Sequence, residues 1–453
     1  FGGIQVLVNN AQASASGVPL AEHTTEQFDL ALYSGLYAAF YYMKACYPYL
    51  AKSKGSVINF ASGAGLFGNF GQCSYAAAKE GIRIILDGVF SHTGSDSRYF
   101  NREGRYGEGG AYRDPNSPYR SWYDFDPKYK GGYRSWWGFE TLPEVNEETP
   151  SYVEFITGPG GVIDTWLRRG AAGFRLDVAD ELPDEFIEKV RAAVKRVSPE
   201  KFLLGEVWED ATTKFGFNKR RTYLLGKGLD SVMNYPFKNA VLDFVKGKPA
   251  EQAMTEILTI CEHYPAPAMD TALNFLSTHD TERALTVIAD EPANGRGRAW
   301  QSGRCVTGDA YEEGLLRLRM AYAIIYTLPG VPCLYYGDEI AMQGYRDPFN
   351  RAFFRWDAHE QRLRPVLAQL AQLRHTCEAF RTGQLRVLRA EDGILHYQRV
   401  GKVETAEIIV NRTEHIIVET LASGKSTEVN PMGFTIVVEE VGHNPNHSYY
   451  DYV

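Results

Sequence analysis

The chain reads as an α/β protein: a (β/α)8 barrel with an inserted B domain after its third strand and a small C-terminal β-sandwich. Two observations predict this. Short β-branched apolar runs alternate with helix-periodic segments along most of the 453 residues, and eight such runs occur up to Tyr336. Past residue 380 the pattern changes to short alternating strands. Strands alternating with helices imply parallel βαβ units, and eight parallel strands with helices between them meet the requirement for a closed barrel.

In order, Ile4–Asn9 is β-branched and apolar, Thr25–Lys52 repeats apolar residues at helical spacing, and Ser56–Ala61 is again strand-like. Ser74–Arg83 opens with Ser and Tyr ahead of an alanine-rich turn, a helix start, and Ile84–Phe90 is expected as a buried strand. From Tyr99 to Pro150 the period lapses into Gly, Pro, Tyr and Trp. A stretch that long is a functional insertion or disorder, and its aromatic density favours a packed insertion. Five more strand candidates follow: Gly173–Val178, Phe202–Glu206, Ser231–Tyr235, Ala272–Ser277 and Val331–Tyr336. After a helix around His359–Phe380 come Leu385–Leu388, Ile394–Arg399, Glu407–Val410 and Phe434–Glu439, and a polar, Tyr-rich tail expected to be mobile. The implied divisions are 1–83, a barrel over 84–380 with the insertion at 99–150, a sandwich over 381–441, and the tail 442–453.

Composition is ordinary for a globular chain, 44% hydrophobic, 23% charged and 13% aromatic, apolar enough for a large core. A net charge of −8 and a pI near 5.8 argue against a nucleic-acid surface or an anionic-membrane binder. No apolar run reaches the ~18 residues of a membrane span, and no cationic-then-apolar leader opens the chain. It begins at Phe1 rather than Met, so an upstream start is expected. Cys46, Cys73, Cys261, Cys305, Cys333 and Cys377 are far apart and never form C-x-x-C. That fits neither a disulfide framework nor a zinc site, and predicts reduced thiols in cytoplasm. Oligomeric state is left open.

Four acids sit at expected C-terminal strand ends: Asp87 in LDGVFSH, Asp177 in GFRLDVAD, Glu206 in LLGEVWED and Asp280 in FLSTHDTER. Asp177 and Glu206 are 29 residues apart, one βα unit, and Glu206 and Asp280 are 74 apart, about two. Such strand ends share one rim of a barrel, where active sites are found. A single acid there could merely cap the next helix; four of them, with Arg and His at fixed offsets, point to chemistry. Carboxylates converging on a rim suit glycoside hydrolysis through an oxocarbenium-like transition state. Arg175, two before Asp177 and on the same strand face, should keep that carboxylate ionised, as a nucleophile needs. Glu206, facing Asp177 and Asp280, is expected to hold its proton through like-charge repulsion, as a general acid needs. His92 and His279 can donate hydrogen bonds to sugar hydroxyls.

DGVFSHTG, GFRLDVADE, GEVWED and FLSTHDTER strongly resemble the four signature segments of the α-amylase family, glycoside hydrolase family 13, in order and spacing, from about Ile82 to about Val441. LPEVN (Leu142–Asn146) resembles the fifth segment of neopullulanases and cyclomaltodextrinases, and GDEIAMQGYRDPFNR (Gly337–Arg351) the loop after their eighth strand. The resemblance implies a retaining α-glucan hydrolase with Asp177 as nucleophile, Glu206 as acid/base and Asp280 as transition-state stabiliser. It places Asp87, His92, Arg175 and His279 at the cleaved sugar and adds Asp347 and Arg351 to the substrate-binding set. No cofactor is implied; Ser91 stands where many members carry a calcium-binding Asn, which speaks against calcium there. From Asn101 to Glu140 the insertion holds 11 aromatics against seven Lys/Arg and six Asp/Glu. Such a balance suits stacking on sugars better than nucleic acid. Most of these rings are expected to pack the insertion's own core, and Trp137 is the candidate for substrate.

The first eighty residues resemble a different family. VLVNNAQ (Val6–Gln12), SVINFASGAG (Ser56–Gly65) and SYAAAK (Ser74–Lys79) are similar to the second half of a short-chain dehydrogenase/reductase, with Ser62, Tyr75 and Lys79 as its vestigial catalytic set. Lys79, one helical turn from Tyr75, would lower the phenol's pKa for proton exchange with an alcohol. The nucleotide-binding first half has no counterpart, Gly35 stands where a catalytic Asn is usual, and Gln12 replaces the Gly of NNAG. Gly63, Gly65 and Gly68 spell G-x-G-x-x-G, but the expected helix opens near Ser74, too far on to meet a pyrophosphate. The junction falls in AAAKEGIRIIL (Ala76–Leu86), a sequence both families share. Two reductase βα units are thus expected in place of the barrel's first two, since both folds use the same right-handed βαβ unit. The alternatives are a reductase remnant with residual NAD(P) chemistry and a catalytically dead chimera that only binds glucan.

Overall fold

The structure, a computed structural model, describes residues 6–9, 13–14, 24–53, 56–59, 84–355, 360–440 and 448–450. The eight apolar runs all contain strands: β1 (Val6–Asn9), β2 (Ser56–Asn59), β3 (Ile85–Gly88), β4 (Gly173–Leu176), β5 (Phe202–Gly205), β6 (Ser231–Val232), β7 (Leu273–Asn274) and β8 (Val331–Pro332). The chain forms two compact units, Phe1–Asp87 with Ile156–Phe174 and Ala193–Phe202, and Gly88–Phe155 with Arg175–Ala192 and Leu203–Val453.

In the first unit β1 pairs in parallel with β2, Val6 opposite Ser56. The helices α1 (Thr25–Ala31) and α2 (Ala38–Ser53) lie between them in sequence, joined through a π-helical turn. The Ala172 amide donates to the Ile84 carbonyl at 2.7 Å, and the Phe202 amide to that of Ala172 at 3.0 Å. Chains run so close here that a Cβ on Gly173 would strike the Phe202 carbonyl, which accounts for glycine at that position. Ile84 and Ile85 are exposed rather than buried as expected.

In the second unit the strand segments pair in chain order. The Asp177 amide donates to the Gly88 carbonyl at 3.3 Å and the Glu206 amide to that of Leu176 at 3.0 Å. Gly205 then pairs with Val232, Met233 bridges Leu273, and Asn274 pairs with Pro332, all in parallel. β4 is buried at every position, as parallel strands covered on both faces are. Helices occupy the connections, among them α3 (Tyr235–Lys246), α4 (Ala250–His263), α5 (Ala284–Ala289) and α6 (Gly308–Thr327). Asn234 caps α3, its side chain accepting from the Phe237 amide, a favoured N-cap role. The insertion is irregular but packed. Phe100 is fully buried, with the Tyr133 and Tyr123 rings edge-on at 4.7 and 4.8 Å. Most of the insertion's aromatics serve this core.

Behind α7 (Leu363–Thr376) lies a five-stranded antiparallel sheet of β9 (Gln384–Glu391), β10 (Ile394–Val400), β11 (Glu404–Asn411), β14 (Gly433–Glu440) and β15 (Ser448–Tyr450), in that order. A hairpin, β12 (Ile417–Thr420) and β13 (Ser426–Val429), packs on it through Ile394, Ile409, Val437, Ile417, Leu421 and Val429. β15 falls in the stretch read from sequence as a mobile tail and pairs instead with Ile436–Val438. Backbone pairing with a sheet edge is not visible in side-chain polarity.

Candidate active site

Asp177 and Glu206 are the first residues past β4 and β5, and the rung between Leu176 and Glu206 brings those strand ends level. Arg175, two before Asp177, points to the same face. It is 9% exposed, and its guanidinium spans both acids, Nη1 donating to Asp177 Oδ1 at 2.7 Å and Nη2 to Glu206 Oε2 at 2.6 Å. The sequence reading gave this guanidinium to Asp177 alone; a planar fork has two prongs, and the second is on Glu206.

Glu206, 2% exposed, also accepts from the Val178 amide at 2.9 Å, Trp208 Nε1 at 3.0 Å and the Tyr235 hydroxyl at 3.3 Å. Its surroundings are therefore a ring of donors, not the bare facing carboxylates expected from sequence. Val178 has left-handed backbone, φ 39° and ψ 53°, which is strained for a β-branched residue. The turn directs its N–H at Glu206 immediately after Asp177. The Trp208 and Tyr235 rings stack at 4.4 Å.

Asp280 is held from two sides. His279 Nε2 lies 3.0 Å from Oδ2, and Arg351 Nη2 donates to Oδ1 at 3.2 Å. Burial pushes the Asp280 carboxyl up, and the charge on Glu206 adds to this against the pull of His279, Arg351 and Arg175. The turn carrying Asp280 is clasped by the short helix Phe349–Arg351. Asn350, 0% exposed, donates to the His279 and Thr281 carbonyls at 2.7 and 2.8 Å. Arg351 Nε donates to the His279 carbonyl at 2.9 Å and lies 3.4 Å from Asp347.

His92 bonds Ser91 Oγ through Nδ1 at 2.9 Å, so the serine noted above as a poor calcium ligand serves the imidazole. Burial holds His92 below the usual imidazole range, against the charges of Asp177 and Glu181, so near neutral pH its ring is uncharged. It stacks on Trp136 at 5.0 Å and Trp136 on Trp137 at 5.3 Å, while Glu181 accepts from both indoles at 2.6 and 2.8 Å. Trp137 has φ 50° and is 75% exposed. With Trp136, Glu144, Glu147, Glu181 and Phe217 it lines a cavity of about 580 Å3.

Asp87 lies in β3, at the end of the other unit's first segment. Ser62, Tyr75 and Lys79 lie outside the described residues. Among the described residues no cluster of His, Cys, Asp and Glu could hold a metal ion, and no helix is long and apolar enough to cross a membrane. Sequence reasoning missed Tyr235, Trp208 and Asn350. Trp208 was detectable, two residues past Glu206 on a strand period; the other two come from distant segments.

This arrangement can place a nucleophile, a proton donor and a charge stabiliser around one sugar. A fold of the same kind occurs in cyclic α-maltosyl-(1→6)-maltose hydrolase from Arthrobacter globiformis, 24% identical with TM-score 0.67 over 82% of this chain and 77% of that one. Among curated relatives, the amylopullulanase of Thermoanaerobacter thermohydrosulfuricus is 34% identical over 71% of this chain and 23% of its own length. The cyclomaltodextrinase of Geobacillus thermopakistaniensis is 30% identical over 74% and 52%. The chain thus spans about a quarter to about half of these relatives. A 97-residue stretch is 67% identical to a 12α-hydroxysteroid dehydrogenase of Clostridium sp., 21% of this chain and 38% of that enzyme. The short-chain dehydrogenase family model matches residues 1–92 and overlaps the next match over 65–92, across the junction inferred from sequence. Residues 65–381 match the catalytic-domain model of α-amylase, and the chain belongs to that family.

Proposed function

We propose that this protein is a retaining α-glucan hydrolase, with Asp177 as nucleophile, Glu206 as general acid and base, and Asp280 as stabiliser of the positive charge at the anomeric carbon. The observation that carries the reading is the single guanidinium of Arg175 gripping Asp177 and Glu206 at 2.7 and 2.6 Å, which ties the two acids to one locus. Asp177 attacks the anomeric carbon as Glu206 protonates the leaving oxygen; water, deprotonated by Glu206, then releases the sugar from Asp177 with retained configuration. Asp87, His92, Arg175 and His279 are proposed to bind the cleaved sugar, and Asp347, Arg351 and Trp137 its neighbours. The amylopullulanase and cyclomaltodextrinase relatives favour maltooligosaccharides, cyclodextrins, pullulan or starch as substrates. No step calls for a cofactor.

The finer fold reading is that β1 and β2 stand in for the barrel's first two strands; eight strands in chain order, with β1 parallel to β2, support it. Truncation of residues 1–80 is then expected to abolish soluble expression. The five described cysteines are all free, which favours a reducing compartment such as the cytoplasm. A dead glucan-binding chimera is the second reading, favoured by Val6–Asn10 at the position where the family usually brings a Tyr to the sugar. The test is reducing-sugar release from maltooligosaccharide, cyclodextrin or pullulan, paired with Asp177→Asn. Turnover lost in that variant is expected. A silent assay on well-folded protein defeats the hydrolase, and sugar binding without turnover would leave the second reading standing.

A further inference from the structure

Glu206 has partners suited to only one of the two protonation states that its proposed role demands. A carboxylate has about four lone-pair sites, and Arg175, the Val178 amide, Trp208 and Tyr235 supply four donors. To act as an acid, Glu206 must also carry a proton before the glycosidic oxygen arrives, and that proton needs a lone pair to point at. A guanidinium, a backbone N–H and an indole N–H have none to offer. The Tyr235 phenol is the one member of this set that can turn from donor to acceptor. Thr278 Oγ1 accepts from the Asp280 amide at 3.2 Å; its hydroxyl also interacts with the Tyr235 phenol and keeps a second lone pair that can take the phenol's own hydrogen.

We infer that Tyr235 is a positioning residue that accommodates protonated Glu206: in that state the Glu206 O–H donates to the Tyr235 oxygen, and the Tyr235 O–H to Thr278 Oγ1. The inference rests on the hydrolase reading. The ring is held so that only the hydroxyl needs to rotate: Tyr235 is 1% exposed, stacked on Trp208 at 4.4 Å and edge-on to Phe275 at 4.8 Å. The other charged groups around Glu206 are Arg175, Asp177 and Asp280, the last with His279 and Arg351. Among the described residues no hydrogen bond joins either aspartate to Glu206. When substrate enters, the same hydrogen swings from Tyr235 to the glycosidic oxygen. The anomeric C–O bond breaks with its electron pair going to that oxygen, and Asp177 forms the new bond to carbon.

Tyr235→Phe keeps the ring and removes only the oxygen. The full chain is assayed on a maltooligosaccharide, whose leaving group needs protonation, and on α-maltosyl fluoride, whose leaving group does not. The variant is expected to lose about tenfold in kcat/KM on the oligosaccharide, with the basic limb of its pH–rate profile moved down by about one unit. Turnover of the fluoride is expected to stay within about twofold of wild type. Equal loss on both substrates, or an unmoved basic limb, overturns the inference. Where Tyr235→Phe does not fold, Thr278→Val is expected to move the same limb the same way, and an unmoved limb again refutes it. A wild type that turns over neither substrate defeats the hydrolase reading instead. Infrared spectroscopy then decides separately: the protonated-carboxyl band assigned by Glu206→Gln must shift in Tyr235→Phe, and an unshifted band overturns the role of Tyr235.

Discussion

Arg175→Lys probes the site most directly. The guanidinium makes two charge-assisted bonds, 2.7 Å to Asp177 and 2.6 Å to Glu206, in a pocket that leaves Arg175 9% exposed. A lysine ammonium is a point charge that cannot span both carboxylates, so one of the two bonds is lost. A hydrogen bond to a charged group is worth about 1.5–3 kcal/mol. At ~1.36 kcal/mol per factor of ten, that predicts roughly a 10- to 150-fold fall in kcat/KM. Arg175→Ala removes both bonds and leaves Glu206 buried without its cation, costing about 3–5 kcal/mol of stability as well. The checks are kcat and KM on a maltooligosaccharide, with a thermal melt of each variant. If Arg175→Lys turned over substrate within twofold of wild type, bridging by one guanidinium would not be what organises the two acids.

Asn350→Asp keeps the shape of the side chain but turns an oxygen toward the His279 and Thr281 carbonyls. A loss of at least about 2 kcal/mol in unfolding free energy, read from urea titration, and about tenfold in kcat is expected. Trp137→Ala, at a ring 75% exposed, should leave stability within about 0.5 kcal/mol and raise KM on long glucans while sparing kcat. Glu407→Gln tests the sandwich. Burial pushes the Glu407 carboxyl up, but hydrogen bonds from His396, Gln398 and the Ala422 amide outweigh it and hold the carboxyl below its usual value of 4.5. A depressed folded pKa contributes stability that is present above pH 4.5 and lost as pH falls through the folded value. The variant should therefore unfold at lower urea than wild type at pH 7, and the two midpoints should converge in acid.

What could be read from sequence follows from what is local. The strands are short apolar runs of two to four residues, and Asp177 and Glu206 sit one residue past theirs, so both are carried by short-range pattern. The reach of Arg175 to Glu206 was not legible, because 31 residues separate the two and the shared fork depends on strands β4 and β5 lying level. Asn350 is further from its partners, with 71 residues to His279. Nothing in FNR distinguishes an amide that clasps a distant turn from one in solvent. Tyr235 reads from sequence as the last residue of the strand candidate Ser231–Tyr235; only the folded chain, with its hydroxyl 3.3 Å from Glu206, reveals that it faces an acid. The exposure of Ile84 and Ile85 was illegible for the opposite reason. Burial depends on neighbours, and apolar character in a strand fixes only what the residue would prefer.

The proposed chemistry is confined to one compact unit. Arg175, Asp177, Glu206, Tyr235, Asp280 and Arg351 all fall within it, and so do the bonds among them. Asp87 alone of the proposed sugar-binding acids falls outside, on the side of the chain where similarity to short-chain dehydrogenases ends at residue 92. If β1 and β2 replace the barrel's first two strands as proposed, loss of the usual Tyr would weaken ground-state contacts to the cleaved sugar, whereas the bonds that pair nucleophile with acid lie wholly within one unit. Loss of uniform binding raises KM and spares kcat, whereas loss of the acid pair lowers kcat. The expected signature is thus weak saturation with measurable turnover at the limit. A progress curve that stays flat at saturating glucan, on protein that still binds it, would show that the borrowed segment had disabled the chemistry itself.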